Sequence, residues 1–144
     1  MATSTPSLTP QEAVIYLMIL ASASDGQITE SELRTVGRVV RSFPLFDDDD
    51  ERRLVEYTEG AGKLMSSESG LHKVMEAAAQ ALPPHLVETA YAAVVDVVTA
   101  DENLNLEELR ILELIRDALK ISDDGAAAIE HAAQARHMTT EVPA

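Results

Sequence analysis

Cysteine and tryptophan are absent from the 144-residue sequence, which holds only two phenylalanines and three tyrosines. Without cysteine there is no disulfide, no thiolate metal site and no cysteine nucleophile. So few aromatic residues suit packing between helices better than a β-sandwich. Basic residues are also scarce: 11 Lys and Arg stand against 25 acids, a formal charge of −14. Such a chain repels phosphate backbones, so no nucleic-acid partner is expected. It attracts divalent cations and proteins with a basic surface instead. The longest apolar run, Val14 to Ala23, is interrupted by Ser22 and falls short of the roughly 20 residues of a membrane span. The opening MATSTPSLTP has no Lys or Arg, so no secretory signal is expected and the expected location is cytoplasmic. His72, His85, His131 and His137 lack zinc-like spacing and read as exposed surface histidines.

Hydrophobic residues make up 46% of the chain, enough to exclude disorder. The length fits one domain over 1–144, with a core about 10–136 and loose termini. Thr9-Pro10-Gln11-Glu12 is a capping box with proline at the first helical position. The helix it opens, about 10–24, is apolar nearly all round, the pattern of a buried helix. Thr29 with Glu32 caps a second helix that ends at Ser42 and turns Leu33, Val36, Val39 and Val40 inward. Pro44 breaks the chain, and acidic residues 47–51 suit the N-terminus of a third helix, about 49–65. A fourth, about 69–82, stops at Pro83-Pro84. The fifth, about 85–100, is again mostly apolar, with Asp96 read as part of an exposed stripe. Asn105 with Glu108 caps a sixth, 106–119, expected to bury Leu109, Leu112, Ile115 and Leu119. Ser122 opens a seventh, about 123–136. The fold class is all-α, about seven helices.

Residues 10–42 and 86–118 align at a constant offset. Asp25 matches Asp101, Glu32 matches Glu108, Leu33 matches Leu109 and Arg34 matches Arg110. Two pseudo-two-fold-related halves around two central apolar helices are therefore expected, with the two Asp–Glu turns near one another. Each turn reads Asp-x-x-(Ile/Leu)-x-x-x-Glu. The first overlays the back half of an EF-hand loop, but Ala21 and Ala23 occupy its leading ligand positions, so a true EF-hand is not expected. Glu32 and Glu108 are also explained as capping-box residues, and Asp25 and Asp101 as turn formers. Four carboxylates near one axis nevertheless repel unless separated, protonated or neutralised. A hard divalent cation with Asp25, Glu32, Asp101 and Glu108 as ligands would neutralise them, Ca²⁺ or Mg²⁺ before Zn²⁺. Arg34 and Arg110 are the competing neutralisers.

The segment ASASDGQITESELRTVGRVV, with its counterpart VVTADENLNLEELRILELIRDALKI, resembles the TerB-like tellurite-resistance family over about residues 10–136. Glu102 stands where the family often has glycine in the second turn. The resemblance implies a seven-helix fold with internal two-fold symmetry, an acidic cluster for divalent metal, and a stress-response or tellurite-resistance setting. It also implies protein partners, through which the chain would reach a membrane peripherally. The function expected is a non-enzymatic, cation-binding interaction or sensor module. A metal-free helical adaptor is the alternative. A metal-assisted hydrolase ranks below both, since no nucleophile–base pair or phosphate loop is legible. No other cofactor is expected.

Overall fold

The computed structural model describes residues 7–23, 27–100 and 106–142. Among these the chain is all helical, with eight α-helices and no strand. They are α1 (Pro10–Ser22), α2 (Glu30–Ser42), α3 (Asp48–Arg52), α4 (Leu54–Met65), α5 (Gly70–Ala81), α6 (Val87–Thr99), α7 (Leu106–Leu119) and α8 (Asp123–Arg136). A 3₁₀ turn, Pro84–Leu86, leads into α6.

Two predicted capping boxes form as expected. The Glu12 N–H donates to Thr9 Oγ1 at 3.1 Å, and Thr9 N–H returns a bond to Glu12 Oε1 at 3.0 Å. The second box closes between Thr29 and Glu32. A third, not foreseen, joins Asp47 and Asp50 at the start of α3. The single helix expected over 49–65 is divided at Arg53. There ψ opens to 9°, and the N–H of Arg53 is shared among the carbonyls of Asp49, Asp50 and Glu51, a tightening of the last turn.

α1 is the axis of the fold. Every residue from Ala13 to Ala21 is buried, none more than 8% exposed, as its all-round apolarity requires. It packs against α2, α4, α5, α6 and α7. α6 is the second central helix, with Ala90, Tyr91 and all of 93–98 buried. Leu17, Met18, Val94 and Val95 lie in one continuous core. Gly60 lets α4 approach α1, because a Cβ there would collide with the Tyr16 hydroxyl. Gly70 opens α5 beneath the backbone of Met65, where no side chain fits.

Two expectations are corrected. Leu109 is 42% exposed rather than buried. The inward line of α7 runs through Ile111, Ile115 and Leu119, and Leu109 lies about 200° around the helix from Ile111. Asp96 is not on an exposed stripe: it is 8% exposed. The helix face that carries it meets α8, which packs on α6. Arg136, at the end of α8, donates from Nη2 to Asp96 Oδ1 at 2.6 Å, and His137 Nε2 lies 3.5 Å from the same oxygen. Burial of the carboxylate is thus matched by an ion pair, and a cation at the α8 C-terminus also suits that helix's dipole. Tyr91 ties the same two helices by donating to Glu130 Oε2 at 2.6 Å.

All three tyrosines are harder to ionise than usual, chiefly through burial. The carboxylate of Glu130 adds to the effect at Tyr91. Tyr57 is pushed up to about 12, burial and Asp50 outweighing the nearby Arg53 cation. The folded chain therefore holds protons that the unfolded chain has lost above about pH 10. The tyrosines' contribution to stability is undiminished below that pH and declines as pH rises toward 12, by at most about 1.4 kcal/mol per pH unit for each tyrosine. Thermal melts across this window are expected to show the decline, and Tyr57→Phe is expected to make it shallower.

Met18→Ala is expected to cost ~2–5 kcal/mol in denaturant unfolding, the range for a large side chain removed from a packed core. Met138→Ala, at a position 53% exposed, is expected to change stability by no more than about 0.5 kcal/mol. The ion pair between α6 and α8 gives an asymmetric expectation. Arg136→Gln leaves the Asp96 charge buried without its guanidinium and is expected to cost about 1–3 kcal/mol. Asp96→Asn leaves only a half-exposed arginine, which rehydrates, so its loss is expected to be the smaller.

Candidate functional site

The N-terminus of α2 follows directly on the first acidic turn. Thr29, in extended backbone, caps the helix. Its N–H donates to Glu32 Oε1 at 2.8 Å, while Glu32 N–H donates to Thr29 Oγ1 at 3.1 Å. Glu32 is half-buried, and its capping role is real. A carboxylate has two oxygens, however, so the bond through Oε1 leaves Oε2 for a ligand. Glu108 occupies the matching place in the first turn of α7, also half-buried. Asp25 and Asp101, together with Asn105 of the expected third capping box, lie outside the described residues. Among the described residues, no group of three or more histidine, aspartate or glutamate side chains is arranged to hold a metal ion.

The competing neutralisers are accounted for differently. Arg110 meets Glu113 at 3.5 Å within its own helix. Arg34 has no ion-pair partner among the described residues. At the end of α1, the Ser22 hydroxyl is buried without a hydrogen-bond partner, an uncommon state for a buried polar atom. It precedes Asp25 by three positions.

A groove of about 240 Å³ runs between α2 and the C-terminal ends of α6 and α8. Thr35 and Ala100 both line it. Thr35 is one helical turn beyond Glu32, on the same side of α2, and Ala100 adjoins Asp101. The groove thus joins the N-terminal half of α2 to the C-terminal end of α6. Arg38, Arg136, His137 and Asp96 also border the groove.

The sequence reading missed these last four residues as a group. Arg38, Asp96 and the neighbouring pair Arg136–His137 are far apart in the chain and belong to three different helices, so no local spacing joins them. A partial signal was present in α2, where Arg34, Arg38 and Arg41 follow one another by four and three positions. That spacing places them along one face of a helix.

No curated protein and no solved structure matches the chain significantly. The family model of the tellurite resistance protein TerB matches residues 11–131, from the first turn of α1 into α8. That span includes both acidic turns and the central pair of helices, and the observed all-helical fold agrees with it. The chain belongs to the TerB family of tellurite resistance proteins.

Proposed function

We propose that the protein is a non-enzymatic, divalent-cation-binding interaction module in a tellurite-resistance or related stress response. Asp25, Glu32, Asp101 and Glu108 are its ligands, and the preferred cation is Ca²⁺ or Mg²⁺. The observation that carries this reading is the groove lined by both Thr35, one helical turn beyond Glu32, and Ala100, the residue before Asp101 in the chain. Like charges gathered by folding raise its cost unless a cation offsets them, and oxygen ligands suit hard divalent ions. The orphaned hydroxyl of Ser22 adds an oxygen near the first turn. The Thr29–Glu32 capping box favours a second reading, a metal-free adaptor whose glutamates only start helices.

Calorimetric titration of chelator-stripped protein with Ca²⁺, Mg²⁺ and Zn²⁺ separates the two readings. A cation-binding module is expected to give a saturable isotherm with Ca²⁺ or Mg²⁺. At a hundredfold excess over Kd it is expected to gain about 2.7 kcal/mol of stability. Matched monovalent salt is the control, because a chain of charge −14 gains from any screening ion. Asp25→Asn and Asp101→Asn are the informative variants. They precede the caps, so they remove charge without removing a capping bond, and each is expected to weaken cation binding. Relief of repulsion is expected to leave the metal-free fold as stable as before or slightly more so. Variant isotherms indistinguishable from the parent would rule out a shared site and leave the adaptor.

A further inference from the structure

Four of the 11 Lys and Arg residues, Arg34, Arg38, Arg41 and Arg136, border two adjoining grooves on an otherwise acidic molecule. The larger, about 570 Å³, lies along α2 toward α4, and the smaller is the groove described above. Thr35 and Arg38 belong to both, so the two are continuous. From this we propose that the outer face of α2 is a docking groove for an acidic, leucine-bearing peptide segment of a partner protein.

The electrostatic part of the argument is the state of the arginines. Arg34, Arg38 and Arg41 are exposed and form one stripe about 10 Å long. Arg41 is held by Glu51 at 2.6 Å, and Arg136 by Asp96. Arg34 has no ion-pair partner among the described residues, and Arg38 only reaches the Thr35 hydroxyl at 3.4 Å. Two guanidinium groups therefore have no ion-pair partner among the described residues, although Glu30 and Glu51 share the lining, in a chain where acids outnumber bases by more than two to one. A carboxylate can occupy the fork of each.

Chemistry decides among the possible occupants. Leu33 and Leu54, beside Gly37, give the larger groove a small apolar floor within a lining that is otherwise polar and includes Glu30 and Glu51. Exposed ion pairs contribute little free energy by themselves, so a small free anion gains too little from an open groove. A peptide that also sets leucines on the floor adds apolar burial, while the charges supply orientation and selectivity. A nucleic acid brings a dense line of charge against a net −14, and a second copy of this chain brings another −14. A short acidic segment limits that repulsion to the stripe itself.

The test is fluorescence anisotropy with the intact chain in chelator, where no divalent ion contributes, so it succeeds or fails independently of the cation reading. The probe is a labelled amphipathic peptide of about 12 residues, long enough to follow the stripe, with leucines on one face and glutamates on the other. Saturable binding is expected, weakened about 3- to 10-fold in the double variant Arg34→Gln, Arg38→Gln. The double variant Lys63→Gln, Arg110→Gln removes the same charge at exposed positions outside both groove linings and is expected to bind like the parent. A peptide with glutamine in place of glutamate is expected to bind more weakly. Absence of binding, equal losses in both double variants, or equal binding of the glutamine peptide overturns the proposal. So does displacement of the peptide by equimolar inorganic phosphate, or sedimentation showing a dimer that Arg34→Gln, Arg38→Gln dissolves.

Discussion

Burial of α1 on all sides is the constraint from which the rest of the structure follows. A helix that presents apolar side chains around its full circumference has no stable place at a surface, so five other helices surround it. The small residues serve this enclosure. Ala13 and Ala21 within α1 are fully buried, and Gly60 admits the Tyr16 hydroxyl where α4 comes close. α6 makes the complementary surface and is itself covered by α8. The acidic turns follow these two central helices in the chain.

Charge imposes a second constraint. With 25 acids, nearly all must stay at the surface, and the two that are buried among the described residues are both provided for. Asp50 accepts the Tyr57 hydroxyl at 3.3 Å and the Asp47 N–H at 3.0 Å. Asp96 accepts Arg136. The free-energy cost of removing a carboxylate from water is offset only when such partners are present, and each pair also fastens one helix to another segment. The same scarcity of bases makes the arginine stripe of α2 distinctive, since among the described residues two of its guanidinium groups lack the acidic partner that most exposed arginines have found.

Membership of the TerB family and the proposed cation site concern different levels of description. The family match covers the helical core and supplies the family's name, tellurite resistance protein TerB. The cation site depends on how closely four carboxylates converge, which a capping box at Glu32 neither requires nor forbids. A glutamate that bonds a backbone N–H through one oxygen retains the other for a metal, so one residue can serve both purposes.

Much of the fold was legible because its signals are local. Capping residues at Thr9, Thr29 and Ser122 start helices at the expected places, and prolines end them. The apolar periodicity of α1 and α6 alone identified the two central helices. Leu109 misled because neighbouring leucines and isoleucines allow two inward lines on α7, and only packing against the core selects the one through Ile111. Asp96 misled because its partner lies 40 positions away, beyond any spacing rule. The candidate metal ligands were legible as a repeated pattern. The grooves beside α2 were not, since they join side chains from α2, α6 and the end of α8. Residue order by itself thus determined which segments are helical and which two are central, through propensity, capping and periodicity. The tertiary structure alone decided which buried charge meets which cation and which arginines remain unpaired, because those outcomes depend on contacts between helices distant in the chain.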